Sequence, residues 1–296
     1  MVPELLARRR FLQVCAAVLA GAGAACGSGD GADEQAGDAA VPSPSRRTYG
    51  DHDDAFGDLW LPSGGGSPFP AVILVHGGFW RAQHGLDLMD GLASSIASAG
   101  WAAWNIEYRR VGAGGGYPET FDDVAAAVDH LAGADLSIDL DRVAIVGHSA
   151  GGHLAVWAAS RGSLEPGTDW ADPLVRPGLA VSQGGVLDLV DCAAQLLGGS
   201  ACPDLVGGMP ADVPERYART SPAALVPADA TVVAVHGTAD AIVPLRQSER
   251  YVAAAEAAGG RARLRTVAGA DHFHLIDPDH GAWAVVLAEL EGHLRP

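Results

Sequence analysis

Val143-Ala144-Ile145-Val146-Gly147-His148-Ser149-Ala150-Gly151-Gly152-His153-Leu154 is the stretch on which the fold turns. Val143 to Val146 form a short apolar run of the kind found in a buried strand, and Leu154 to Ala159 continue in an apolar helical pattern. Gly147-His148-Ser149-Ala150-Gly151 is therefore a strand-to-helix turn, and G-x-S-x-G in that context is a nucleophile elbow. The turn is so tight that a Cβ at either glycine would clash, and the serine hydroxyl stands at its tip. The N-terminus of the following helix lies beneath it and favours negative charge developing on an attacked carbonyl oxygen. The plainer alternative is a serine that merely occupies a glycine-rich turn.

Outward from this turn the chain alternates short apolar runs with helical patterns. Ala71 to Val75, Trp101 to Tyr108, Arg142 to Gly147, Leu179 to Ser182, Thr231 to His236 and Arg263 to Val267 are the expected strands. Phe121, Val124, Ala125, Val128 and Leu131 recur at helical spacing, and Arg246 to Ala258 is an alanine-rich helix stopped by Gly259-Gly260. This alternation predicts an α/β fold with a doubly wound, mostly parallel sheet that binds ligands at the carboxyl ends of its strands. Residues 186–227 break the rhythm with several prolines and two cysteines, and are expected to form a cap insertion within a folded domain spanning 55–296.

A serine hydroxyl is a weak nucleophile at neutral pH and requires a base oriented by an acid, here in the chain order serine, acid, histidine. His236-Gly237-Thr238-Ala239-Asp240 follows an expected strand, so Asp240 is the expected acid, ahead of Asp188 in the cap and Asp271 beside the base. Gly269-Ala270-Asp271-His272 follows the last strand, and His272 is the expected base, with His274 as its competitor. Val75-His76-Gly77-Gly78-Phe79-Trp80 follows the first long apolar strand. There the N–H groups of Gly78 and Phe79, with that of Ala150, are expected to form an oxyanion hole.

The other candidate sites are weaker. Gly112-Ala113-Gly114-Gly115-Gly116 leads into Tyr117-Pro118 without the spacing that opens a helix onto pyrophosphate, and reads as a flexible loop. His148 and His153 do not share a helix face, and no H-E-x-x-H occurs, so neither a metal nor a cofactor is expected. Asp51-His52-Asp53-Asp54 reads as solvated chain.

Composition narrows the chemistry. The 296 residues are 48% apolar and 19% charged, with a formal charge of −17, enough for one large globular domain or at most two small ones. A strongly acidic chain repels phosphate backbones, which argues against nucleic acid as a partner. All 19 basic residues are arginine. The absence of lysine removes Schiff-base chemistry, the P-loop amine and a Ser-Lys dyad, and leaves histidine as the base.

At the N-terminus, Ala7-Arg8-Arg9-Arg10-Phe11-Leu12 and the apolar run Val14 to Ala25 are expected to form an export signal over residues 1–25. The run is well short of the ~20 residues of a membrane span. The arginine pair resembles a twin-arginine signal, and Gly23-Ala24-Ala25-Cys26 resembles a lipoprotein cleavage site. Lipidation of Cys26 or simple cleavage and release are the two outcomes, so contact with a membrane is expected only through a lipid anchor. Residues 26–54, rich in Gly, Ala, Asp, Ser and Pro, are expected to be a disordered tether. The product is an exported protein, either a cell-surface lipoprotein or a secreted or periplasmic one. In that oxidising setting Cys192 and Cys202 are expected to form a local disulfide; a nucleophilic cysteine is the alternative.

With His76-Gly77-Gly78, Tyr108-Arg109, Pro118-Glu119, the Ser149 elbow, Asp240 and His272 in place, the chain resembles the α/β-hydrolase superfamily over most of residues 55–296. His-Gly-Gly-Phe-Trp and Gly-His-Ser-Ala-Gly-Gly-His are similar to the branch of feruloyl-esterase-like carboxylesterases and kynurenine formamidases, and Tyr217 with Ser221-Pro222 resembles prolyl-oligopeptidase-type hydrolases. The resemblance implies a serine esterase acting on a small-molecule ester through an acyl-enzyme, with amide cleavage by an arylformamidase or acyl/aminopeptidase as the alternative. Phe79 stands where a third glycine occurs in hormone-sensitive-lipase-type chains, which argues against bulky tertiary-alcohol esters. A catalytically inactive surface binding module is the reading from another class; no expected triad member is missing.

Overall fold

The computed structural model describes residues 43–64, 66–133 and 136–295. The expected export signal, Cys26 and the first part of the expected tether lie outside the described residues. In chain order the elements are β1 (Ser45–Thr48), β2 (Phe56–Trp60), β3 (Phe69–Val75), α1 (Asp90–Ser98), β4 (Ala102–Ile106), α2 (Glu119–Asp129), β5 (Ile138–His148), α3 (Ala150–Ala159), β6 (Leu179–Gln183), α4 (Leu189–Gln195), α5 (Ala201–Val206), α6 (Pro214–Thr220), β7 (Thr231–Gly237), α7 (Arg246–Ala257), β8 (Ala262–Val267) and α8 (Gly281–Leu294).

The strands form one sheet in the order β1-β2-β4-β3-β5-β6-β7-β8. From β4 to β8 all pairings are parallel, while β1 and β2 are antiparallel additions at one edge. The expected doubly wound, mostly parallel sheet is therefore what the chain adopts. From β3 the chain goes first to β4 on one side and then to β5 on the other, so the strand order reverses there and the carboxyl ends of β3 and β5 flank a crevice.

Alternation along the strands sorts the core into two layers. Ala71, Ile73 and Val75 with Val143 and Ile145 face a cluster that includes Phe121 and Val124 of α2, Leu154 and Trp157 of α3 and Tyr251 of α7. Val72 and Leu74 with Ala144 and Val146 face the other layer, built from Leu92 and Ile96 of α1 and Trp283, Val286 and Leu290 of α8. A period of two puts neighbouring residues on opposite faces, and these central strands are apolar on both.

Two expectations need correction. Part of the stretch expected to be a tether is a strand: Ser45–Thr48 pairs with Phe56–Trp60, Arg46 makes a two-pronged contact with Asp58 at 2.9 and 3.0 Å, and its guanidinium lies 3.9 Å from the Phe56 ring centre. The acidic run that follows is also anchored, with His52 Nε2 2.9 Å from Asp123 Oδ1 and Asp54 accepting from Arg110 at 3.0 Å. Composition hides this because few bulky apolar side chains take part.

The expected disulfide is also absent: Cys192 on α4 and Cys202 on α5 are both buried free cysteines. The Cys202 thiol is turned onto the Leu189 carbonyl oxygen at 3.2 Å, and its interaction with Cys192 together with burial holds it far above the ordinary thiol range. Residues 186–227 carry the three short helices α4, α5 and α6. Among the described residues no helix is long and apolar enough to cross a membrane.

Candidate active site

Ser149 sits between β5 and α3 at φ 55° and ψ −118°, a backbone conformation that L-residues avoid and that persists only when the surroundings impose it. The close approach of backbones imposes it here. A Cβ at Gly147 would lie 2.0 Å from the Gly151 oxygen, and one at Gly151 would lie 2.1 Å from the Val75 oxygen, so neither position admits a side chain. The Ser149 N–H donates to the Gln183 carbonyl at 2.9 Å, which ties the elbow to β6.

Asp240 and His272, 32 residues apart in sequence, meet beyond β7 and β8, where His272 Nδ1 lies 2.7 Å from Asp240 Oδ2. The second carboxylate oxygen accepts the N–H groups of Ile242 and Val243, both at 2.9 Å. His236 Nε2 stands 3.4 Å from Oδ2, and the Asp240 side chain is fully buried. Burial alone would raise its pKa; His236, His272 and the Val243 N–H outweigh that and hold the carboxyl well below the usual carboxylate range. Asp240 is thus an anion whose acceptor is aimed at His272. The two competing acids are otherwise engaged, since Asp188 caps α4 by accepting from Val190 and Asp191, and Asp271 accepts from Phe273 and His274.

His148, the elbow residue before Ser149, joins the two halves. Its Nε2 lies 3.0 Å from the His272 carbonyl oxygen, and a carbonyl can only accept, so Nε2 carries the proton. The two imidazole rings are 4.5 Å apart. Burial, and then the neighbouring His272, push the His148 pKa down to about 3. His153, one helical turn into α3, points at the Thr220 carbonyl at 2.8 Å, and burial pushes its pKa down to about 4.

On the other side, Gly78, Phe79 and Trp80 have φ of 111°, 51° and 56° in succession. Among the described residues, none of the turn and loop hydrogen bonds uses the N–H of Gly78, Phe79 or Ala150. The Trp80 indole N–H donates to the Ala150 carbonyl at 3.1 Å and ties this loop to the start of α3. The segment 186–227 reaches the same loop: a Cβ at Gly198 would lie 2.5 Å from the Phe79 ring, and Arg81 donates to the Gly198 carbonyl at 3.0 Å.

Sequence reasoning missed Gly184. At φ +57° it follows β6, and a Cβ there would lie 3.0 Å from Asp240 Oδ2 and 3.2 Å from His272 Nδ1. A glycine pair one residue beyond an expected strand, Gly184-Gly185, was the available signal. Among the described residues no group of three or more His, Cys, Asp or Glu is placed to hold a metal ion.

The model of the BD-FAE family matches residues 57–254. Esterase LipQ of Mycobacterium tuberculosis is 31% identical over 200 residues, 64% of this chain and 46% of LipQ. The kynurenine formamidase of Danio rerio is 25% identical over 236 residues, 77% of this chain and 74% of that protein. The chain spans less than half the length of LipQ. A solved truncated carbohydrate esterase from gut microbiota superposes with a TM-score of 0.72 at 21% identity, over 86% of this chain and 98% of that one, a likeness of fold.

Proposed function

The chain belongs to the BD-FAE family, and from that premise we propose that it is an exported serine hydrolase of carboxylic esters. The observation that carries the proposal is the buried 2.7 Å contact of Asp240 with His272 Nδ1, beside a serine in a backbone conformation imposed at φ 55°. With the Nδ1 proton held by Asp240, the lone pair of His272 is on Nε2, the tautomer a general base needs. His272 takes the Ser149 proton as the hydroxyl oxygen attacks the ester carbonyl. It returns that proton to the leaving alcohol, and Asp240 stabilises the imidazolium between the two steps. The N–H groups of Gly78, Phe79 and Ala150 stabilise the tetrahedral oxyanion, and water then hydrolyses the acyl-enzyme by the same route.

Amide cleavage is a second reading, favoured by the kynurenine formamidase relative, which aligns over 77% of the chain. A panel of short- and long-chain p-nitrophenyl esters, feruloyl esters, N-formylkynurenine and aminoacyl anilides separates the two. Ester turnover is expected, abolished by Ser149→Ala. Turnover of N-formylkynurenine alone would move the protein to the amide class, and no turnover with no fluorophosphonate label on Ser149 would remove the enzymatic reading. Anchoring through Cys26 is tested by radiolabelled fatty acid, expected in the wild type and absent from Cys26→Ala; equal labelling of both would overturn it.

A further inference from the structure

We propose that His76 and Glu107 are positioning residues, a buried ion pair that aims the Gly78 N–H into the oxyanion hole; this rests on the serine-hydrolase reading above. The sheet register brings them together. Val75 pairs with Ile106 in the parallel β3–β4 ladder, so the next residues, His76 and Glu107, emerge side by side at the carboxyl ends. Both are buried, at 0% and 5% exposure.

Each hydrogen bond of the pair follows from what its partner can do. His76 Nδ1 lies 2.8 Å from the Gly77 carbonyl oxygen, which only accepts, so Nδ1 carries a proton. Nε2 lies 2.8 Å from Glu107 Oε1. That oxygen also accepts the Tyr108 N–H at 3.0 Å, while Oε2 accepts the Leu86 N–H at 3.1 Å and forms an ion pair with the Arg110 guanidinium at 3.1 Å. Apart from His76, the carboxyl group faces two backbone N–H donors and a guanidinium, so it is ionised and has no proton to give, and His76 Nε2 is protonated as well. His76 is an imidazolium. Burial opposes ionisation of Glu107, but the bond to His76, its charge, the Tyr108 N–H and Arg110 bring the carboxyl below its ordinary range. The Tyr108 ring stacks on His76 at 4.4 Å and 14°, and its hydroxyl donates to the His76 carbonyl at 2.9 Å, so the imidazole cannot rotate away.

The consequence runs through one peptide plane. In a trans peptide the C=O and N–H point in opposite directions. With the Gly77 oxygen held on the buried side by His76, the Gly78 N–H is directed to the other side. Gly77 itself lies against the elbow, where a Cβ would stand 3.1 Å from Ser149 Cβ. Three consecutive positive φ angles follow at Gly78, Phe79 and Trp80, so the loop needs such a grip to hold this form.

The test compares His76→Leu, which removes the grip, with His76→Asn, whose side-chain N–H replaces the Nδ1 donor. Both are made in the wild type and in Glu107→Gln, where no unpaired carboxylate remains. His76→Leu is expected to lower kcat by ~10²–10³, the cost of one oxyanion donor, with little change in KM, and His76→Asn to recover to within roughly tenfold. An unchanged kcat in His76→Leu, or equal losses in Leu and Asn, would overturn the proposal. A 15N spectrum of the wild type is expected to show both His76 nitrogens protonated at neutral pH; one unprotonated nitrogen would overturn the ion pair whether or not the variants fold. If the wild type cleaves no ester, the functional reading fails by itself. The rate of fluorophosphonate attachment to Ser149 then reads the same order of variants, and a wild type that does not react either overturns both.

Discussion

The two shoulders of Ser149 are built in different ways. On the β3–β4 side, Gly78 and Phe79 are held by neighbours in chain and register: His76 grips Gly77, Glu107 stands beside His76, and Trp80 bonds to Ala150. On the β7–β8 side, Gly184, Asp240 and His272 come from three separate loops, and the Asp240 and His272 side chains meet at 2.7 Å. Loss of one oxyanion donor leaves the other donors in place, whereas the Nδ1 proton of His272 has Asp240 Oδ2 as its acceptor and no other partner among the described residues. The acid-base side should therefore be the more sensitive of the two.

The largest effect is expected at that contact. Asp240→Asn keeps the shape but presents an amide to His272, and kcat is expected to fall by about 10⁴ as the wrong tautomer is favoured. A loss within about tenfold in a steady-state assay would place the orienting acid elsewhere. Gly184→Val comes next. A β-branched residue at φ +57° is strained, and its Cβ would sit 3.0 Å from Asp240 Oδ2, so kcat is expected to drop roughly 10²-fold through misplacement, with near-wild-type circular dichroism.

A smaller effect concerns the two buried histidines of the elbow and α3. His148 and His153, with pKa values of about 3 and about 4, stay neutral in the folded chain and bind protons once it unfolds. Their contribution to stability is complete above the ordinary imidazole value of about 6.5 and is lost as pH falls through the folded values. At about pH 5 the pair should add roughly 2.7 kcal/mol per pH unit to the slope of unfolding free energy. Urea titrations across that range are expected to show about half this increment in His153→Gln. The smallest expected effect is none: with Cys192 and Cys202 as free thiols, a reductant should leave the melting temperature unchanged, where loss of a disulfide lowers it by several degrees.

Legibility in the sequence follows the same division. The elbow could be read because Gly147, Ser149 and Gly151 are local, and steric exclusion at a tight turn acts on residues a few positions apart. Asp240 and His272 could be named as candidates because each follows an apolar strand, with Asp188 and Asp271 as runners-up whose side chains the structure commits to nearby backbone N–H groups. Gly184 and Glu107 stood in no motif. Their importance lies in what is across from them, a carboxylate and an imidazole brought there by the sheet. The cysteine spacing misled for a related reason, since ten residues of separation says nothing of where a sulfur points.

By itself, then, the order of residues determined the alternation of strands and helices, the elbow and its serine, and, in the proposed serine-hydrolase chemistry, histidine rather than lysine as the base. These follow from short-range sterics, apolar periodicity and the inventory of side chains. Tertiary structure decided which carboxylate meets His272, that Ser45–Thr48 adds an edge strand, that Cys192 and Cys202 are free thiols, and that a buried His76 meets Glu107 beside the Gly77 carbonyl. Each depends on which side chains the strand order and register bring side by side, and on desolvation, which acts only once the chain has folded.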